Sequence, residues 1–529
     1  MRHPRKSLRA SAVGVASAAL LAGAAFGTAP AAQAAPQRPA AVTASTASAV
    51  STTVRFTDIP GSGGIALKGN VFAPADTSRR YPLIVFPTSW AMPQFEYVAQ
   101  AKQLAEAGYV VVSYTARGFW LSGGKIETAG APDVADSAKV IDWALAHTPA
   151  DPARIGMGGV SYGAGISLLS AASDPRVKAV TALSGWADLV ESIYGERTQH
   201  LQAAELLGGL GKLTGRPGDE LQRILKEFLS SDLSKEQDML DWGAKRSPAT
   251  YLDRINANGT AVMLGNAWGD SVFTPNQYAK FYERLTGPKR LEFRPGDHAT
   301  GELTGLLGLP NDTWTHARRW FDRYLKGESN GIDREAPVQL ASRSGGTYEP
   351  YASWADVQAN RRSVSLEGAR TIRTGVDSGA DGGTAILSNA LDQFLKIPPM
   401  VSVPLLPRSY AAVWQTGPYD REQRIRGTVT VKTSVTGDKD TGTAVAYLYD
   451  VGPLGVGRLI SHAPYTFRGV QPGKAFGVNL DLFATAYDVP AGHRLALVVD
   501  TVDPLYISHN PAGGRLAFSP PELSVPVRN

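Results

Sequence analysis

The sequence predicts an α/β domain with a mainly parallel sheet, followed by an all-β domain. Three observations carry that prediction. Between residues 81 and 294, apolar strand-length runs alternate with helical patterns at the spacing of a sheet covered on both faces. The alternation breaks once, over residues 186–251, where leucines recur at helical spacing and no strand is legible. From residue 336 to the end, short alternating runs such as Gly427-Thr428-Val429-Thr430-Val431-Lys432 and Ala444-Val445-Ala446-Tyr447-Leu448-Tyr449 recur between Gly, Pro and Asp turns, with only loops expected between them.

Within the first domain, placed at 54–335, an entry hairpin spans about 54–73. The apolar strand Tyr81-Pro82-Leu83-Ile84-Val85-Phe86 then runs into the loop Pro87-Thr88-Ser89-Trp90. A helix over 97–107 stops at Gly108, and the strand 109–114 leads into a loop rich in glycine and aromatic residues, in which Arg117 is read as a structural tether. An amphipathic helix comes next over 133–146. Arg154-Ile155-Gly156-Met157-Gly158 is a short buried strand, and 177–184 is another. The helical stretch 186–251 falls where an insertion sits above the carboxyl ends of the strands, so it is read as a cap that shapes substrate access. Strands at 260–265 and 290–294, with helices at 275–285 and 311–325, complete the domain. A glycine-rich stretch, 367–384, reads as a mobile linker within the second domain.

Between the strand at 154–158 and the small-residue helix that starts near Ala164 lies Gly159-Val160-Ser161-Tyr162-Gly163. A G-x-S-x-G alone is weak in a chain with 55 glycines. Placed on a strand-to-helix turn it is a nucleophile elbow, in which glycines permit a sharp turn and the serine oxygen projects toward backbone N–H groups. Ser161 needs a base to take its proton, and imidazole titrates near the working pH. His298, in Pro295-Gly296-Asp297-His298 at a strand end, is the best placed of the eight histidines. His147 precedes the elbow, His200 falls in the cap, His316 lies on a helix, and His462, His493 and His509 belong to the β-rich region. A carboxylate must orient that imidazole. Asp270, past the strand at 260–265, has the right placement, whereas Asp297 adjoins His298 and sequence neighbours seldom meet side chain to side chain. The order Ser, Asp, His is the one this architecture requires. The N–H of Tyr162, with that of Ser89 or Trp90 in the first strand-end loop, is the expected oxyanion hole.

Charge and cysteine content narrow the partners. Arg2, Arg5, Lys6 and Arg9 precede an apolar stretch over about 12–25, and Ala32-Gln33-Ala34 offers a cleavage site, so residues 1–34 read as a secretory signal peptide and 35–53 as a disordered leader. Those four cations account for most of the formal charge of +5, and the chain beyond residue 34 is close to neutral. No basic patch argues for nucleic acid or an anionic membrane surface as partner. The absence of cysteine excludes disulfides and thiolate chemistry in a chain expected to be secreted.

These residues resemble the serine Xaa-Pro dipeptidyl-peptidase and cocaine esterase superfamily, the acyl-esterase hydrolases. The likeness lies in Gly159-Val160-Ser161-Tyr162-Gly163, Arg117-Gly118 with Ser122-Gly123-Gly124, Trp268-Gly269-Asp270 and Gly296-Asp297-His298. It continues through Trp320-Phe321-Asp322-Arg323-Tyr324-Leu325-Lys326-Gly327 and Asn330-Gly331 to Tyr487-Asp488-Val489-Pro490-Ala491-Gly492-His493-Arg494-Leu495. The resemblance implies an α/β-hydrolase fold with a helical cap, then a C-terminal jelly-roll β-sandwich, placed at 336–529. It implies hydrolysis of a small ester or peptide substrate without metal or organic cofactor. In one respect the sequence departs from it: cocaine esterase-like members place an oxyanion-binding tyrosine after the first buried strand, where this chain has Pro87-Thr88-Ser89-Trp90. An Xaa-Pro peptidase would also need an acid to hold the substrate's amino terminus, with Glu191, Glu196, Glu205 and Glu220 in the cap as candidates. A different class of function, a surface- or carbohydrate-binding sandwich beside an inert hydrolase domain, would leave Ser161 unreactive.

Overall fold

The structure, a computed structural model, describes residues 50–345 and 347–528. The expected signal peptide and most of the leader lie outside the described residues. The last leader residues, Thr52 and Thr53, belong to the first strand. Ten strands form the large sheet: β1 (Thr52–Pro60), β2 (Ala66–Pro74), β3 (Tyr81–Pro87), β4 (Val110–Tyr114), β5 (Ala150–Val160), β6 (Val177–Leu183), β7 (Ala261–Ala267), β8 (Lys289–Arg294), β9 (Val338–Leu340) and β10 (Glu349–Tyr351). Their spatial order is β1-β2-β4-β3-β5-β6-β7-β8-β9-β10. β1 and β2 form an antiparallel hairpin, β2 meets β4 antiparallel, and every pairing from β4 through β9 is parallel. The central strands are buried along nearly their whole length, as their unbroken apolar runs require.

Helices cover both faces. α1 (Val98–Glu106) lies on one side with a long helix near the end of the domain, Asp312–Lys326, and these bury Leu104, Trp314, Trp320 and Phe321 against β3, β4 and β6. On the other side α2 (Ala131–His147) and α3 (Tyr162–Ser173) bury Val140, Ile141, Ala164 and Leu168. Each large side chain removed from water in this way contributes roughly 1.5–3 kcal/mol. The helix Asp312–Lys326 follows local rules closely. The Asn311 side chain caps it by accepting from the Trp314 N–H at 3.1 Å, and Gly327 ends it in the left-handed region at φ 76°.

Four cap helices interrupt the sheet after β6: α4 (Leu189–Tyr194), α5 (Leu201–Thr214), α6 (Asp219–Phe228) and α7 (Glu236–Ala244). α6 has one apolar and one charged face, with Ile224 and Phe228 buried in a cluster that also holds Trp186 and Phe273.

The C-terminal region is a β-sandwich of an eight-stranded and a five-stranded sheet, with a core of its own around Trp414, Ile425, Leu448 and Leu497. Three local expectations are corrected. β9 and β10, which the sequence assigns to this region, extend the large sheet instead, because Leu291 and Phe293 of β8 need an apolar neighbour and Val338 and Leu340 supply it. Two helices, Trp354–Gln358 and Leu387–Leu395, lie among the sandwich strands where only loops are expected. The glycine-rich stretch 367–384 contains a strand, Arg370–Arg373, which pairs with Arg515–Phe518. Its backbone finds ladder partners that are distant in sequence.

The two halves are stitched together through the cap. His200 and Tyr506 form a β-bridge, Ile507 N–H donates to the Gln199 carbonyl at 3.0 Å, and Arg468 pairs with Glu236 at 2.9 Å.

A tight backbone contact lies where α3 starts. A Cβ at Gly163 would stand 2.1 Å from the Pro87 carbonyl oxygen. Gly163→Ala is expected to force these segments apart and lower stability by about 1–3 kcal/mol, read as a reduced Tm.

Candidate active site

β5 ends at Val160 and α3 begins at Tyr162, so Ser161 alone makes the turn. It does so at φ 55° and ψ −115°, a conformation that costs a non-glycine residue of order 1–3 kcal/mol. Neighbours enforce it. Ser161 N–H donates to the Leu183 carbonyl at 2.8 Å, and Val160 N–H donates to the Tyr97 hydroxyl at 2.9 Å.

Asp270 and His298 follow β7 and β8, and all three side chains are buried. His298 Nε2 lies 2.9 Å from Ser161 Oγ, and Nδ1 lies 3.0 Å from Asp270 Oδ2 and 3.2 Å from Oδ1. Asp270 Oδ1 also accepts from the N–H groups of Val272 at 2.9 Å and Phe273 at 2.7 Å, so its loop folds around the carboxylate and fixes its direction. The Phe273 ring packs edge-on against the imidazole at 5.3 Å. Burial pulls the His298 pKa down, but the charge of Asp270 and its hydrogen bond more than offset this, leaving it above the usual histidine value.

Asp297 has a different task. Its Oδ1 accepts from Ser271 N–H at 2.9 Å, Ser271 Oγ at 2.6 Å and the His298 backbone N–H at 2.7 Å, and Asn389 Nδ2 reaches Oδ2 at 3.3 Å. It joins the two loops that carry Asp270 and His298 and does not touch the imidazole nitrogens. Burial pushes its carboxyl up to about 6. Part of this bracing comes from the C-terminal region: Ile386 N–H donates to Ser271 Oγ at 2.7 Å, and Asn389 Nδ2 donates to the Gly269 carbonyl at 2.9 Å. The sequence gives no signal for Asn389, because it lies more than a hundred residues from the loop it braces at Gly269.

The expected oxyanion donors divide. Tyr162 N–H opens α3, where a helix start leaves N–H groups unpaired. Ser89 is corrected: its N–H is taken by Glu96 Oε2 at 2.7 Å, so it has no donor to offer. Trp90 N–H has no intramolecular acceptor among the described residues, so unlike Ser89 it keeps its donor unspent. The Ser89 hydroxyl lies against the other Glu96 oxygen and 2.9 Å from the Val160 carbonyl, tying this loop to the residue before Ser161. Burial pushes the Glu96 carboxyl up to about 7, opposed by the two bonds from Ser89. Sequence reasoning passes over Glu96 because an acid at a helix start is usually a solvated one.

The remaining polar residues settle into structural places. Arg117 grips Asp136 through two bonds of 2.7 and 3.0 Å. His316 pairs with Glu292 at 2.8 Å, and His147 stacks on Trp143. Above Ser161 the cap encloses a cavity. Trp90, Tyr162, Trp186 and Phe273 form its collar, and residues from α4 through α7 line its depth. Of the acids proposed to hold an amine, Glu191 pairs with Lys280 at 2.7 Å and Glu220 with Arg246 at 2.9 Å. Neither these nor Glu196 or Glu205 line the cavity.

A family model described as X-Pro dipeptidyl-peptidase (S15 family) matches residues 63–300, and one described as the X-Pro dipeptidyl-peptidase C-terminal non-catalytic domain matches 330–525. A Bacillus anthracis protein named as a provisional Xaa-Pro dipeptidyl-peptidase is 23% identical over 463 residues, covering 79% of this chain and 73% of its own. Among solved structures, a CocE/NonD family hydrolase from Staphylococcus aureus superposes with a TM-score of 0.66 at 13% identity, over 89% of this chain and 93% of that one. An alpha-amino acid ester hydrolase superposes with a TM-score of 0.63 at 17% identity, over 94% of this chain and 100% of that one. These two likenesses concern the fold. With both family models matched in tandem over most of its length, the chain belongs to the X-Pro dipeptidyl-peptidase (S15) family, with an α/β-hydrolase fold, and is a serine hydrolase of the peptidase or esterase type.

Proposed function

We propose that this protein is a secreted serine hydrolase that cleaves an ester or amide bond through an acyl-enzyme, with Ser161 as nucleophile, His298 as general base and then acid, and Asp270 as the group that orients it. The observation that carries the reading is the unbroken relay from Ser161 Oγ to His298 Nε2 at 2.9 Å and from Nδ1 to Asp270 at 3.0 Å. Ser161 Oγ attacks the carbonyl carbon while its proton passes to His298 Nε2. The resulting oxyanion accepts from the N–H groups of Tyr162 and Trp90. His298 returns the proton to the leaving alcohol or amine as the scissile bond breaks. Water then attacks the acyl-enzyme, again losing its proton to His298, and Ser161 departs with that proton. Secretion is supported by the basic, apolar and small-residue order of residues 1–34.

A fluorophosphonate probe should label the wild-type chain and fail to label Ser161→Ala, and turnover should drop on the order of a million-fold in that variant. A surface-binding protein with an inert hydrolase half would not react with the probe at all. Because the base must be neutral, protonation of His298 on the acid side abolishes its role. Its pKa lies above the ordinary 6.5, so kcat/KM should climb along a limb centred above that pH. Asp270→Asn removes the charge that raises the imidazole. That limb should therefore shift to lower pH while the rate falls by about 10⁴, as measured by pH–rate profiles.

A further inference from the structure

We propose that the acyl group this enzyme accepts is an uncharged aliphatic chain, not an aminoacyl or dipeptidyl group with a free amine; the inference rests on the serine-hydrolase reading above. The cavity over the elbow touches Ser161, the oxyanion-side residues Tyr162 and Trp90, and Phe273, but not His298. The leaving group must reach the imidazole to collect its proton, so it departs on the histidine side of Phe273. A cavity that meets the nucleophile and the oxyanion donors without meeting the base therefore holds the acyl part.

That cavity is built to exclude an ammonium. Among the described residues lining it none is Asp or Glu, and the one ionisable group with a full charge is a cation, Lys212. Acids that touch lining residues from behind are already engaged. Glu236 accepts from the Tyr194 hydroxyl at 2.6 Å but is neutralised by Arg197 and Arg468. Asp133 sits behind the Tyr162 hydroxyl, and burial pushes its carboxyl up to about 7. Glu220 belongs to Arg246. A substrate amine placed here would be desolvated with no counter-charge, a cost that favours binding the neutral analogue.

The lining also selects shape. The rings of Trp90, Tyr162, Trp186 and Phe273 pack in a row at Ser161, and the walls from α5, α6 and α7 carry the aliphatic Leu207, Leu221, Leu225 and Leu240 together with the rings of Phe228 and Trp242. At Gly208 of α5 the missing side chain lets Leu225 of α6 lie close against the helix, since a Cβ there would stand 2.6 Å from Leu225 Cδ2. A short acyl group reaches only the collar, and a longer unbranched chain continues into the depth between these walls.

The test uses the full secreted chain with p-nitrophenyl butyrate, hexanoate, octanoate and decanoate, the 2-amino derivative of the hexanoate ester, and Ala-Pro-p-nitroanilide, each corrected for spontaneous hydrolysis. We expect kcat/KM to rise by about fourfold per added methylene until the cavity is full. The hexanoate ester should exceed its 2-amino derivative by at least about a hundredfold. Leu225→Trp and Leu240→Phe, each filling the depth from a different helix, should move the optimum toward shorter chains, read as the decanoate-to-butyrate ratio. A flat chain-length profile, or preference for the 2-amino ester or the Ala-Pro anilide, would overturn the inference while leaving the Ser161 reading intact. Absence of both hydrolysis and fluorophosphonate labelling would instead overturn the reading beneath it.

Discussion

The arrangement at the elbow depends on one close approach, the start of α3 pressed against the end of β3. Gly163 has no side chain to hold it away from the Pro87 carbonyl, and that contact fixes where the helix can begin. Ser161 is left to complete the turn at positive φ. The same contact sets the start of α3 beside the loop after β3, where the Trp90 ring packs on Tyr162. The conformational cost at Ser161 is carried by surroundings that determine it several times over: a ladder-type bond to Leu183, the Tyr97 hydroxyl at Val160, and the tie from Ser89 to the Val160 carbonyl.

Two neighbouring buried aspartates are differentiated by what surrounds them. Asp270 keeps both oxygens toward the imidazole, and two backbone N–H groups hold it there. Asp297 spends its hydrogen-bonding capacity on Ser271, Asn389 and the His298 backbone, and so governs how far apart the loops that carry Asp270 and His298 stand. In a buried site such bonds are strong when satisfied and costly when broken. Glu96 repeats the pattern after β3, where its carboxyl positions the loop at Ser89 without meeting Ser161.

The sandwich is part of this construction and not an appendage. Through Gln199, His200 and Gln202 it holds the lead-in to α5, and through Glu236 it holds α7, so it sets the roof of the cavity. Through Ile386 and Asn389 it also reaches the loops beneath. The cap is therefore clamped from a domain encoded after the whole catalytic half.

Local pattern in the chain was sufficient for the strands β3 to β8, the helix Asp312–Lys326, and the placement of Ser161, Asp270 and His298 at three strand ends. Each rests on periodicity, turn chemistry or chain order, which neighbouring residues express directly. It was not sufficient for β9 and β10, whose three-residue runs acquire meaning only beside β8, nor for Ser89, whose N–H looked free until folding brought Glu96 onto it. Asn389 and the apolar character of the cavity were likewise illegible. Which donors are already spent, and which side chains line a common space, are questions of distance, and distance between segments far apart in sequence is set only when the chain closes its core.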